Sequence, residues 1–242
     1  MEDAQDKLTG EQTELLAALQ AEFPKAAPHF LLRVARHRKW DLEKSKKLAA
    51  TYLAWRDSHR ADELTWSDFP SLENEPAMSF YVAPSGQPIW VFNAGLWTPS
   101  AYPKEEVELW LVAMLEAILR LPEVQERGII MVGDVSGFGW SNFDPALEKL
   151  WLHTIQNQVP LSLRRLVMYR PGWIMSTLMA IVTPWMKPKL RARLARVHTP
   201  DQIAEVVPLS DLPRHYGGEL DDIDAVDCKK QLLDAWISER KS

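Results

Sequence analysis

The sequence predicts an α/β fold: a small helical unit at the amino end, then a mostly parallel sheet flanked by helices. Three observations predict it. Helical patterns fill most of the first sixty residues. From about residue 88 onward, short apolar runs alternate with longer amphipathic ones, the signature of strands joined by crossover helices. One of the short runs, GIIMVGDVSG at 128–137, is apolar almost without a break, as strands buried on both faces are.

The elements follow in order. Thr9 and Gln12 have the spacing of a capping box ahead of ELLAALQAEF, which predicts a first helix. APHFLLRVARHRKW is a second, with Phe30, Leu31, Val34 and Ala35 on its apolar side. Asp41 caps a third, LEKSKKLAATYLAWRDSH, with Leu42, Leu48, Tyr52 and Trp55 as its stripe. ADELTWSDFPSLENEP has no clear period and reads as a connector. A PSGQ turn introduces a strand at 88–97. Pro103 opens a helix at 104–121; the apolar strand at 128–137, a helix at 144–159 and a strand at 164–169 follow. GWIMSTLMAIV and PWMKPKLRARLARV read as two helices parted by Thr183-Pro184. Thr199 and Pro200 start a short helix at 199–207.

With 242 residues, the chain is one large domain or one domain with a small appendage. Its 46% apolar and 25% charged residues are ordinary for a soluble globular protein. The single Cys228 excludes an internal disulfide and a cysteine-based zinc site. The first residues, MEDAQDKLTGEQTE, are too acidic and polar for a signal peptide, and no apolar run is long enough to span a bilayer. Catalytic patterns fail on spacing. In GDVSGFG, Ser136 lacks the flanking Gly-x-Ser-x-Gly that a nucleophile elbow needs. GFGWSN lacks the third glycine of a dinucleotide fingerprint, and no two histidines fall at i, i+4 on a helix. Asp134 at a strand end reads as a catalytic acid or, more simply, as a cap on local backbone groups. The sequence therefore predicts no enzyme, cofactor or metal site. Nucleic acid is not favoured either, because the basic residues accompany Met and Leu and not strand-borne aromatic pairs.

The charges are unevenly placed. Residues 149–200 hold nine Lys or Arg and no Asp or Glu, in a chain whose formal charge is −5, so the remainder carries −14. On a helix, Met186, Leu190, Leu194 and Val197 form one stripe, flanked by Lys187, Lys189, Arg191, Arg193 and Arg196, with Trp185 at the start. Such a helix lies on an anionic membrane, or it packs its stripe on the core as any surface helix does. GWIMSTLMAIV, just before it, is apolar nearly all round, and its methionines, Met175 among them, suit a surface that meets variable apolar shapes.

Three segments carry a resemblance to a known family. FLLRVARHRKWDLEKSKKLAATYLAWR resembles the helical lead-in of the CRAL-TRIO lipid-binding proteins. GIIMVGDVSGFGWSNF resembles their central strand, with Asp134 and Gly137 at matching positions. PWMKPKLRARLARVHTPDQIAEVVPLSDLPRHYGG resembles their gate helix and closing motif. The family includes phosphatidylinositol- and tocopherol-transfer proteins and the amino-terminal domain of a protein-tyrosine phosphatase, which this chain resembles most by inspection. The resemblance implies a helical lead-in over 1–65, a CRAL-TRIO-like domain over 66–220 and a helical tail over 221–242. It implies a sheet that encloses a lipid cavity, with a gate helix at 183–197.

It also implies sites. Phe92, Ala94, Ile129, Met131, Met168, Arg170, Met175, Met186, Leu190 and Leu194 are the candidate cavity residues; Arg170 also reads as an exposed strand-end residue. Arg164, Trp185, Lys187, Lys189, Arg191 and Arg193 are the candidate headgroup and membrane patch. Arg164, Lys189 and Arg193 match three of the four cations with which the tocopherol carrier grips phosphoinositides; the fourth position is Ser162. The phosphatidylinositol binders place a Glu, an Asp and a Thr where this chain has Leu161, Lys187 and Leu190, and two hydroxyl residues where it has Ile129 and Met131. Headgroup binding inside the cavity in their manner is therefore not expected. The expected protein is a cytoplasmic monomer, peripheral on membranes, that holds a hydrophobic lipid and carries or presents it at phosphoinositide-containing membranes. A membrane-docking adaptor without lipid transfer is the alternative.

Overall fold

The computed structural model describes residues 8–240. The reading of the amino terminus as no signal peptide falls partly on residues 1–7, outside the described residues. Three helices come first: α1 (Gly10–Glu22), α2 (Pro28–His37) and α3 (Leu42–Ser58). The capping box forms as its spacing predicts: Gln12 N donates to Thr9 Oγ1 at 3.3 Å, and Thr9 N donates to Gln12 Oε1 at 3.0 Å. Lys39 and Trp40 take positive φ (55° and 62°), which turns the chain sharply out of α2, and the Asp41 side chain then caps α3 by accepting from Lys44 N at 3.0 Å. Leu19, Leu31, Val34, Leu48 and Tyr52 are buried between the three helices and the rest of the molecule.

The remaining elements are β1 (Met78–Val82), β2 (Pro88–Asn93), α4 (Lys104–Arg120), α5 (Pro122–Arg127), β3 (Ile129–Asp134), α6 (Pro145–His153), β4 (Leu163–Tyr169), α7 (Trp173–Val182), α8 (Pro188–Arg191), β5 (Leu194–Val197), α9 (Pro200–Ala204) and α10 (Ala225–Glu239). The strands form one five-stranded sheet in the order β1-β2-β3-β4-β5, with β1 antiparallel to β2 and the other pairs parallel. Strand alternation splits the core. Trp90, Met131 and Met168 join the main core with α4, α6 and α7 on one face. Ile89, Val91, Val132 and Val167 point the other way, against α9 and Tyr216. The helical unit shares the main core: the Tyr52 hydroxyl donates to the buried Glu116 carboxylate on α4, and Arg56 Nε faces the same carboxylate at 3.2 Å. α10 packs on β1 and α4 and buries Leu233 and Trp236.

The observed elements differ from the expected ones in four places. Residues 184–197 do not form one helix. Pro188 forces the preceding Lys187 into an extended conformation (φ −63°, ψ 151°), so only a 3₁₀ turn, Thr183–Trp185, and the single turn α8 remain helical. Residues after Arg193 pair with β4 as β5, which puts Leu194 and Val197 on opposite faces of the sheet and dissolves the expected stripe. β1 occupies MSFYV, to which the sequence reading assigned no strand. The helix expected over 144–159 is α-helical only to His153 and ends in a π turn, Thr154–Gln158. The two central strands stop early, at Asn93 and Asp134, which are register partners. Each side chain accepts from the backbone N–H two residues on, Gly95 at 3.1 Å and Ser136 at 3.0 Å, and this bends the chain out of the sheet. The two exits nearly touch: a Cβ on Gly95 would lie 3.1 Å from the Gly137 Cα.

Candidate functional site

Two concavities flank the sheet. The first is an apolar cavity of about 230 Å³ on the main-core face. Its floor is the sheet, its walls are α4 and α6, and α7 lies over it. Met175, Leu178, Met179, Val182 and Met186 all face it, at the i, i+3, i+4, i+7 and i+11 positions of one stripe that starts in α7. The outer side of the same helix exposes two large apolar residues, Trp173 (75%) and Ile181 (42%), with Ser176 and Thr177 between them. A helix that buries one apolar stripe over a cavity is the covering element here. This corrects the expected position of the gate, from 183–197 to α7 and its 3₁₀ extension.

Of the expected cavity residues, the structure brings Phe92, Ala94, Met131, Met168, Met175, Met186 and Leu194 to the lining. Three lie elsewhere. Ile129 is fully buried at the start of β3, in solid core short of the cavity. Leu190 is buried under α8 and does not reach the lining. Arg170 takes φ 55°, a left-handed conformation that turns it away; its guanidinium pairs with the Asp134 carboxylate and lies 4.9 Å from the Tyr169 ring centre. Burial opposes ionisation of Asp134, but hydrogen bonds from the Ser136 N–H and Arg170 outweigh it and hold its carboxyl below the ordinary range. That group is an anion paired at a strand end.

The sequence reading missed much of the lining. Trp90, Trp97, Trp110 and Trp151 all reach it. Its polar side chains are Asn142, Asp144 and Glu148. Asn142 donates to Trp97 O at 2.6 Å and accepts from Gly139 N at 2.7 Å. Asp144 caps α6 and pairs with Lys104 Nζ at 2.8 Å, and that hydrogen bond is the main cause holding its carboxyl low. Glu148 is different: burial alone pushes its carboxyl up to about 7. The signal was present in the sequence, since Glu148 stands one helical turn before Trp151 and Leu152 on an otherwise apolar side of the helix.

The second concavity is a cleft of about 590 Å³ between the helical unit and the start of β3 and β4. Arg33, Arg36, His37 and Lys39 line it from α2 and the turn after it, Arg127 and Gly128 from the end of α5, and Ser162 and Arg164 from the start of β4. Among the described residues, Glu126 is the one acid on its lining. The His37 ring nitrogen Nδ1 and Ser162 Oγ are 3.2 Å apart. Burial, then the charges of Arg38, Lys189 and Arg193, press His37 down to about 4, so the ring is neutral near pH 7. Burial, with the charges of Arg193, Lys39 and Arg38, also lowers Lys189. The structure thus brings Arg164, Lys189 and Arg193 into one cationic region with α2.

The rest of the expected patch lies apart. Lys187 Nζ donates to Gln156 O at 3.2 Å and to Asn157 Oδ1, which ties the chain after α7 to the π turn. Trp185 is half-buried with Lys149 Nζ 4.7 Å from its ring centre, and Trp173 is the more exposed of the two. Arg191 is exposed on α8.

Known proteins share this architecture. The chain is 26% identical over 215 residues to the alpha-tocopherol transfer protein-like protein of Homo sapiens, which covers 84% of this chain and 62% of that protein. It is 24% identical over 220 residues to the phosphatidylinositol transfer protein CSR1 of Eremothecium gossypii, covering 85% of this chain and 50% of that one. Clavesin-2 of Homo sapiens is 24% identical over 215 residues, covering 85% and 66%. The chain thus spans less than two thirds of the length of these relatives. The crystal structure of Sfh5 superposes with a TM-score of 0.63 over 99% of this chain and all of that one; at 11% identity this is a likeness of fold. The CRAL/TRIO domain model matches residues 73–218, from the turn before β1 to the Gly217-Gly218 pair. By that match, and with a parallel sheet roofed by an apolar helix, the chain belongs to the CRAL/TRIO family of lipid-binding and lipid-transfer proteins.

Proposed function

We propose that this chain holds a hydrophobic lipid in the cavity beneath α7 and carries or presents it at phosphoinositide-containing membranes, without catalysing a reaction. The observation that carries the reading is α7 itself. Its inner stripe seals an apolar, tryptophan-rich space, and its outer side offers Trp173 and Ile181 to a bilayer. The closed cavity, about 230 Å³, is small against the usual range of ligand sites, roughly 300–1,000 Å³, so loading a lipid displaces the cover. At a membrane the acyl region accepts the apolar surface that such a displacement exposes.

The basic cleft, with Lys189 and Arg193 beside it, supplies the docking charge. Each Lys or Arg near an anionic leaflet contributes about 1 kcal/mol, so reversing two of them weakens binding well over tenfold. Lys189→Glu with Arg193→Glu is therefore expected to abolish co-sedimentation with phosphoinositide vesicles at low salt, and added salt is expected to weaken the native protein in the same way. Equal sedimentation of both proteins would remove the docking role of the cleft.

The cleft's larger volume, about 590 Å³, favours a second reading, an adaptor that docks on membranes and holds no lipid. Mass spectrometry of organic extracts of the purified protein separates the two. A stoichiometric lipid supports the carrier; its absence, together with failure to take up lipid from vesicles, supports the adaptor.

A further inference from the structure

Among the described residues, the cavity lining contains no Lys, Arg or His. Of its three polar side chains, Asn142 and Asp144 are committed to partners in the protein. Glu148 makes no hydrogen bond or ion pair with any described residue. It stands on α6 with Leu147, Trp151 and Leu152, all on the lining, and no neighbouring charge contributes to the behaviour of its carboxyl. Glu148 is half-buried, and a carboxyl that gives up part of its water on an apolar wall without gaining a partner costs the fold stability. On the outward side of α6, beside Lys149, a glutamate would carry no such cost.

We propose that Glu148 is the polar anchor of the cavity, and that the lipid held there bears a hydroxyl group that donates to it: a neutral lipid alcohol. The proposal rests on the reading of the cavity as a lipid site and narrows its ligand class. A hydroxyl completes the carboxyl in either protonation state, because one carboxyl oxygen always accepts, and the charged form makes the stronger, charge-assisted bond. An acidic head inside the cavity, whether fatty acid or phosphate, meets a carboxyl and no cation in a space of low dielectric, where like charges repel strongly. Phosphate recognition is thereby left to the basic cleft outside. Trp151 and Leu152, one turn along α6, form the apolar wall against which the lipid body lies next to its hydroxyl.

The test uses the full chain, stripped of lipid, and the fluorescence of the four lining tryptophans. The probes are hexadecanol and cholesterol, each against its own methyl ether, with hexadecanoic acid and hexadecylamine as charged counterparts of the first. A hydrogen bond to a charged group corresponds to about tenfold in affinity or more. The better-fitting alcohol is expected to bind at least about tenfold tighter than its ether, and hexadecanoic acid more weakly than hexadecanol. Glu148→Leu is expected to bind alcohol and ether alike, and Glu148→Gln, which keeps a carbonyl acceptor, to retain part of the preference. Equal affinity for alcohol and ether in the native protein overturns the proposal, as does a preference that survives in Glu148→Leu. Tighter binding of the amine than of the alcohol overturns the hydroxyl assignment. If no probe of either body binds the native protein, the lipid-cavity reading itself fails, and the anchor with it.

Discussion

Glu148 makes the stability of the empty protein depend on pH in an unusual direction. Its folded-state carboxyl titrates at about 7, above the value of 4.5 for a free side chain. Between those two values the folded protein holds a proton that the unfolded chain has lost, so stability falls as pH rises through that window. The penalty is complete above pH 7 and reaches at most roughly 3 kcal/mol, less to the extent that the half-buried group keeps water. Glu148→Gln is therefore expected to melt above the native protein at pH 8 and level with it at pH 4, in the absence of lipid. A constant difference across that range would show that the carboxyl is not desolvated. His37 acts oppositely. Its folded value is depressed to about 4, so its contribution is full above about 6.5 and is lost as pH falls toward 4. Neither effect could be read from the sequence, where Glu148 shows only as an acid on an otherwise apolar side of a helix. Its meaning comes from the sheet and α7, which close over that side of α6. Arg170 failed for a related reason: strand alternation predicts direction only while the strand continues, and β4 ends at Tyr169.

Among the elements, those with a strong local period were legible and those decided by tertiary pairing were not. The three leading helices, the helix at Lys104–Arg120 and the apolar β3 follow from caps and stripes that act within a few residues. β5 is the counter-example. Residues 186–197 carry a helical stripe in sequence, but Pro188 breaks the helix and β4 offers an open edge with which Leu194–Val197 pair. The covering role therefore moves to α7, whose all-round apolarity had a cause that the stripe at 186–197 obscured: one side faces the cavity and the other is exposed. Met179→Asp is expected to leave the sheet intact, because the residue packs on the cavity side of a covering helix. It should speed release of a bound fluorescent lipid at least tenfold without vesicles, since burying an unpaired carboxylate favours the displaced cover. Trp173→Ala is expected to leave release in buffer alone and to reduce only its acceleration by vesicles. Identical release from all three proteins under both conditions would mean that α7 neither covers the ligand nor meets the membrane.

At the scale of the whole molecule, the excess positive charge of 149–200 becomes intelligible only with the helical unit in place. The sequence showed the imbalance but not its completion, because Arg33, Arg36 and Lys39 are remote in the chain and reach the start of β4 only through the tertiary placement of α2, where His37 meets Ser162. The resulting cleft holds cations on both its walls, with Glu126 as the single acid on the lining among the described residues. Like charges gathered across a seam oppose its closure, and a polyvalent anion bridging the walls reverses the effect. Inositol trisphosphate, a soluble analogue of a phosphoinositide headgroup, is therefore expected to raise the melting temperature. Occupancy at a hundred times the dissociation constant stabilises by about 2.7 kcal/mol, which for a chain of this size corresponds to a shift of several degrees. Arg164→Glu with Lys189→Glu is expected to lose that shift. In low salt without ligand the variant should melt no lower than the native protein, because it replaces two cations that crowd Arg193 with acids. The pairing of the two results matters. Loss of the ligand-induced shift alone could reflect a damaged fold, whereas loss of the shift in a variant at least as stable as the native protein assigns the anion to the seam. An equal shift in both proteins would place the anion elsewhere and leave the cationic cleft without a part in membrane docking.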